Sequence, residues 1–161
     1  MKNLLVTLAM MAMFCTGYSQ SSCDCDFKTT MGVHYTYFKG MHGAGLEYGK
    51  TGDESNFSIH VGLDMFFPSK VYKDKHQAEG DTAMTGRMYN KIGYRIIRIP
   101  YQLSVYADVI GGLDMNMGFF YGIGLKILRP LKENAISLEP IYIPGEKGGW
   151  NIQAAFHFRI H

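Results

Sequence analysis

The sequence predicts an all-β chain: an eight-stranded antiparallel up-and-down transmembrane β-barrel, preceded by a signal peptide. Three observations carry this. The final stretch alternates strictly, with Trp150, Ile152, Ala154, Phe156, Phe158 and Ile160 at every second place and Asn151, Gln153, Ala155, His157, Arg159 and His161 between them. That period of two gives one apolar and one polar strand face. Similar segments recur along the chain, parted by turn-forming residues. Most of the rings share the apolar side of these segments, while glycines and charges share the other.

Residues 1–19 are set apart as a secretory leader: Lys2 gives a positive start, an apolar run follows through Phe14, and Gly17-Tyr18-Ser19 offers small residues for cleavage. Residues 20–26 form a short polar segment, and 27–161 the barrel domain. About 140 residues then remain, enough for one core. Losing Lys2 brings the formal net charge of +2 closer to neutral. No basic stripe stands out, which argues against nucleic acid as a partner. No later stretch approaches the unbroken apolar length of a membrane helix, so a membrane could be entered only by strands. Cys23 and Cys25 are too close to bridge each other without strain and lack neighbouring ligands for a metal; free thiols or a bridge to another chain remain.

In chain order, Phe27–Phe38 puts Met31, Val33, Tyr35 and Tyr37 on one face. A turn at 39–42 leads to 43–50, where Ala44, Leu46 and Tyr48 alternate with glycines and Glu47. Residues 51–54 have tight-turn composition. Segment 55–67 is the cleanest, with Phe57, Ile59, Val61, Leu63, Met65 and Phe67 against Ser58, His60, Gly62 and Asp64. From Pro68 to Met84 periodicity stops, and this is the longest loop. Segment 85–97 is weaker because Asn90 interrupts Met88, Ile92, Tyr94 and Ile96. After a turn at Arg98 and Pro100, segment 99–110 carries Ile99, Tyr101, Leu103, Val105, Ala107 and Val109 on one face. Residues 111–116 are expected to turn. Segment 117–128 sets Phe119, Tyr121, Ile123, Leu125 and Ile127 against Gly118, Phe120, Gly122, Gly124 and Lys126. A turn at 129–134 precedes 135–143, where Pro140 removes a ladder donor. Residues 144–149 lead into the closing strand.

Alternation does not say which face points inward. A soluble barrel hides its apolar face, and a membrane barrel turns it to lipid. An eight-stranded barrel is only wide enough inside for side chains. Tyr35, Tyr37, Tyr48, Phe57, Phe67, Tyr94, Tyr101, Phe119, Tyr121, Tyr142, Trp150, Phe156 and Phe158 would overfill that space, so they are assigned to the lipid-facing side. The opposite face holds Gly32, Gly43, Gly45, Gly49, Gly62, Gly93, Gly118, Gly122 and Gly124, which make room in a crowded lumen. A polar lumen network is expected from His34, Glu47, His60, Asp64, Arg87, Lys91, Arg95, Asp108, Lys126, Glu139, His157 and Arg159. With a periplasmic N-terminus, the 68–84 loop falls outside and the turns at 51–54, 98–100 and 129–134 are periplasmic.

On this pattern, residues 27–161 resemble the small outer-membrane β-barrel proteins of Gram-negative bacteria. Phe156, Phe158 and Ile160 are similar to the terminal signal such proteins show to the barrel-insertion machinery, although His161 rather than an aromatic is last. The resemblance implies outer-membrane localisation, with outer-membrane lipid and that machinery as partners. A narrower likeness is to the TraO family of conjugative-transposon transfer proteins, through Gly-Leu-Glu-Tyr at 45–48, Phe-Phe-Tyr-Gly-Ile-Gly at 119–124 and the alternating last strand.

Chemistry is sparse. His34, His60 and His157 point inward by parity and could ligate zinc with Asp64 or Glu47, but a satisfied polar plug is the simpler reading. Ser137, Glu139 and His157 face one lumen, as a nucleophile, acid and base must. They lack the local motif of the lipid A deacylases that some barrels of this size resemble. Gly122-Ile123-Gly124 and Gly111-Gly112 are not followed by helices, so they are not phosphate loops. The expectation is a non-enzymatic barrel without metal or cofactor, its lumen plugged, in a structural, adhesion or assembly role. A protein partner could dock at the charged 68–84 loop, whose Lys70, Lys73, Asp74, Lys75, Glu79 and Asp81 equally suit a solvated loop. A conjugative transfer component, a lipid-modifying enzyme and a secreted ligand-binding barrel are the alternatives.

Overall fold

Alternation organises the backbone into eight strands: β1 (Phe27–Phe38), β2 (Met41–Gly52), β3 (Phe57–Pro68), β4 (Thr85–Ile99), β5 (Leu103–Asp114), β6 (Gly118–Leu131), β7 (Asn134–Ile143) and β8 (Gly149–Ile160). The computed structural model describes residues 27–52, 55–69, 84–116, 118–145 and 148–160. The expected signal peptide, Cys23 and Cys25, most of the 68–84 loop and His161 lie outside the described residues. Each strand pairs antiparallel with its neighbour in sequence, and β8 pairs back onto β1 from Thr29↔Ile160 to Phe38↔Asn151. The sheet is therefore a closed up-and-down barrel with no free edge. A strand of 12 residues tilted as in barrels spans roughly 30 Å, the thickness of a bilayer's hydrocarbon core.

β2, β4, β6 and β7 are longer than the sequence pattern suggests and β3 is shorter, and the reasons are local. β2 begins at Met41 because Lys39 and Gly40 turn the chain alone, with φ of 51° and 83°, the left-handed pair that matches strand twist in a two-residue hairpin. β3 starts at Phe57, leaving Ser55 and Asn56 in a bend, and Pro68 is its last residue rather than part of the loop.

Three expected turns move. The ladder between β4 and β5 slips between Arg95 and Ile97, a bulge that changes which residues face out below it. Ile99 consequently belongs to β4, opposite Leu103. Tyr101 sits at φ 60° in a turn that Gln102 closes by donating its N–H to the Ile99 carbonyl at 3.1 Å. Residues 111–114 continue β5 instead of turning: a Cβ on Gly112 would collide with the Met88 carbonyl and the Tyr89 backbone. Its glycine therefore marks a close approach of strands. β6 runs through Pro130 to Leu131, so only Lys132 and Glu133 turn the chain.

Pro140 lies within β7, as expected of a weakened ladder. Pairing to β6 jumps from Gly124↔Ile141 to Ile127↔Leu138, while pairing to β8 continues through Pro140↔Ile152. Gly118 has φ +76° with open space around it; it serves backbone conformation at the start of β6, not lumen crowding.

Candidate functional site

Eleven of the rings assigned to the outer face stand exposed on outward strand positions: Tyr35, Tyr37, Tyr48, Phe57, Phe67, Tyr94, Phe119, Tyr121, Tyr142, Trp150 and Phe158. Phe156 is half-buried beside Phe158, their ring centroids 4.8 Å apart. Tyr101 departs from its expected place: it occupies the β4–β5 turn, 98% exposed, because the bulge ends β4 at Ile99. The outward rings form two groups. Tyr35, Tyr37, Phe67, Phe119, Tyr121, Tyr142 and Trp150 lie toward one end; Tyr48, Phe57, Tyr94, Phe156 and Phe158 lie toward the other. Val33, Leu46, Leu63, Ile92, Val109, Ile123, Leu138 and Ile152 are the exposed aliphatic band between them. Tyr142 packs at a tilt against Trp150 at 5.4 Å and Phe57 meets Tyr94 edge-on at 5.2 Å, while Tyr35 hydroxyl and His42 Nδ1 share a hydrogen bond.

The interior is ionic at its middle. Lys91 Nζ donates to Glu139 Oε2 at 2.6 Å, Glu47 Oε2 at 2.9 Å and Gln153 Oε1 at 3.3 Å. All four residues are buried. An unpaired buried charge is costly, so one lysine between two carboxylates holds three strands together. Tyr89 hydroxyl also donates to Glu47 Oε2, at 3.4 Å. His60 Nδ1 lies 2.9 Å from Glu47 Oε1, close enough for Coulomb contact though outside hydrogen-bond geometry. His34 Nε2 donates to Asp64 Oδ1 at 2.5 Å, and Gln153 Nε2 reaches the other oxygen at 3.4 Å. Lys126 faces Asp108 more loosely, at 3.7 Å, and lies over the Tyr106 ring.

Toward the end holding the 68–84 loop, the interior adds buried aromatic rings to its polar groups. Arg87 is buried with its guanidinium carbon 4.7 Å from the Phe38 and Phe120 ring centres and 4.9 Å from that of Phe66. Its Nε donates to Asp114 Oδ2 at 3.1 Å, while Nη1 and Nη2 face rings without a hydrogen-bond partner, as cation–π contact allows. Ile110, Ile141 and Ile143 complete this plug. Phe38, Phe66, Tyr89 and Asp114 were not among the expected lumen residues. Strand parity signals the first three; the turn-like composition of residues 111–116 conceals Asp114.

At the other end, where β1 starts and β8 finishes, the interior opens into a cavity of about 480 Å³. Arg95 and Arg159, expected in the polar lumen network, line the lumen at this end. Arg159 is half-buried at the mouth because it is one residue from the end of β8. Arg95 reaches the β2–β3 rim, donating to the Ser55 carbonyl at 3.1 Å and Asn56 Oδ1 at 3.3 Å. His157 lines the cavity floor and shares a 2.8 Å hydrogen bond with Ser137. Glu139, the acid of that expected trio, is instead held by Lys91. Among the described residues, no group of three His, Cys, Asp or Glu is arranged to hold a metal ion. Among them, too, no helix is long and apolar enough to cross a membrane, which says nothing of a barrel.

An aromatic-belted exterior around an ionic interior is the design of small transmembrane barrels. Two solved structures that this chain is similar to are designed barrels. One, titled "De novo design of transmembrane beta-barrels", superposes with a TM-score of 0.54 at 8% identity, over 83% of this chain and 95% of the other. Another, the solution NMR structure of de novo designed TMB2.3, gives 0.53 at 13% identity, over 84% and 98%. The likeness is of fold. No protein-family model and no curated protein matches the chain.

Proposed function

We propose that the chain is a small outer-membrane β-barrel with a plugged lumen, serving a structural, adhesion or assembly role rather than catalysing a reaction. The observation that carries this is the inversion of polarity. Exposed aliphatic and aromatic side chains ring the outside, while Arg87, Lys91, Lys126, Glu47, Asp64, Asp108 and Glu139 are buried. A water-soluble barrel with that exterior would leave a continuous apolar belt in water, far beyond the patches soluble monomers tolerate. The reading takes outer-membrane lipid as solvent and the insertion machinery as a transient partner, with another protein as a candidate partner of the 68–84 loop. Fractionation tests it: the chain should sediment with outer membranes, resist extraction without detergent, and migrate differently on gels before and after boiling. Recovery as a freely soluble secreted protein would contradict it.

The lipid-modifying alternative gains a Ser137–His157 hydrogen bond but loses its acid to Lys91. Ser137 also lies on the inner face, away from acyl chains. The Ser137→Ala variant should leave the lipid A mass spectrum unchanged. The transfer-apparatus alternative rests on the layout around residues 45–48 and 119–124, and neighbouring transfer genes would favour it.

A further inference from the structure

We infer that the outer face around Gly86, at the end of the barrel holding the 68–84 loop, is a binding site for a soft monovalent cation, Cu(I) or Ag(I), held by methionine sulfurs. Gly86 has the outward parity of β4, between the buried Thr85 and Arg87. On the β3 side it pairs with Met65. On the β5 side stands Met115, which donates its backbone N–H to the Gly86 carbonyl at 2.9 Å and so carries the ladder one step past Arg87↔Asp114. Along its own strand the next positions of the same parity are Met84 and Met88. The nearest position on every side of Gly86 is therefore methionine, and strand pairing brings these residues together from three separate stretches of sequence.

The centre of this cross is a gap. Glycine fills none of it, and Met115 Sδ already leans over it, 3.2 Å from where a Cβ on Gly86 would stand, with the Asp64 carbonyl oxygen at 3.7 Å. Met65, Met84 and Met115 are exposed and Met88 is half-buried. Met65 and Met115 flank Gly86 at one strand spacing each, about 5 Å. A methionine side chain is unbranched and flexible enough to cover that distance. Two sulfurs can therefore close on one ion from opposite sides, and Met84 or Met88 can add a third. Thioethers are neutral, soft donors, which favour Cu(I) over hard cations such as Mg(II) and Ca(II). An apolar surface does not by itself call for sulfur: the outward positions at mid-height are Val33, Leu46, Leu63, Val109, Ile123 and Leu138. The gap is also at the strand ends, Met84 preceding β4 and Met115 following β5, where an ion can arrive from water. The inference does not rest on the role proposed above or on which membrane holds the barrel.

The test is titration of silver nitrate into the full-length mature chain, folded in octyl glucoside in chloride-free buffer, with carbon-13-labelled methionine methyls read by NMR. Ag(I) shares the ligand preference of Cu(I) without its redox chemistry. The chain carries Cys23→Ser and Cys25→Ser, because thiolates would outcompete thioethers for the ion. The methyl signals of Met65 and Met115, with that of Met84 or Met88, should shift saturably at one ion per barrel. Those of Met31, toward the other end of the barrel, and of Met41, buried inside it, should stay. Met65→Leu with Met115→Leu should weaken the binding about tenfold or more, through loss of two soft ligands. That swap conserves volume, and heat-modifiable migration verifies folding. Met31→Leu should leave binding unchanged, and magnesium nitrate should move none of these signals. The absence of a saturable shift at Met65 and Met115, binding that survives the double substitution, equal weakening by Met31→Leu, or the same shifts with magnesium would each overturn the inference.

Discussion

Lys91 and Glu139 meet at 2.6 Å across the barrel interior, with Glu47 on the other side of the same ammonium at 2.9 Å. The lysine is on β4 and its partners are on β7 and β2, so the contact ties together strands that do not pair. Lys91→Met strands two buried carboxylates and should cost about 3–5 kcal/mol. Urea titration of the folded band in detergent reads this. Adding Glu47→Gln and Glu139→Gln should restore much of the loss, because the burden is unpaired charge rather than a missing contact.

Arg87 among Phe38, Phe66 and Phe120 closes the end opposite the cavity. The intact protein should give only background conductance in planar bilayers. Replacing Arg87 and Asp114 together by serine and asparagine, with Phe120→Ala, thins this end without orphaning a charge, while the Lys91 contacts still fill the middle of the lumen. That variant should also stay near background conductance. Conductance well above background in the unsubstituted protein would show that the lumen is not plugged.

Gly62 lies beneath the Tyr89 ring, where a Cβ would overlap the phenol carbons. Gly62→Ala should therefore destabilise by about 1–3 kcal/mol, the usual range for overpacking. In a Tyr89→Leu background the same substitution should cost less, and the double-mutant cycle measures the coupling.

Leu63 is at mid-height on the outer face and Phe57 near one end of the same strand. Leu63→Arg should cost about 2–4 kcal/mol in lipid and Phe57→Arg about 0–1, since a charge is dearest at the bilayer midplane. Equal small costs at both sites would indicate that the outer face meets water.

Much of this architecture is legible in the sequence because a period of two is a local property. Phe57 to Phe67 declares its faces without knowledge of any partner. The failures arise where a residue's role depends on another strand. Gly111 and Gly112 have the composition of a turn, yet Gly112 is required by the Met88 carbonyl of β4. Missing that continuation also hid Asp114, and with it the partner of Arg87. The slip at Arg95/Ile97 cannot be read from alternation that simply weakens around Asn90, so the pattern puts Tyr101 on a strand instead of a turn tip. Phe38, Phe66 and Tyr89 had inward parity, but their apolar type suited the outer face. The cavity was illegible because Lys28, Arg98 and Lys132 are distant in sequence and meet only when β8 closes onto β1.

In the proposed membrane setting, the ring-bearing side of the sheet contacts hydrocarbon. Trp150 is the only tryptophan in the chain and stands outward beside Tyr142 near one rim. The most direct measurement is its fluorescence in bilayers carrying brominated acyl chains, with the bromines set either shallow or deep. Strong quenching that is greater for shallow bromines is the expected result, together with resistance to aqueous iodide. Quenching by iodide with indifference to brominated chains would contradict the account.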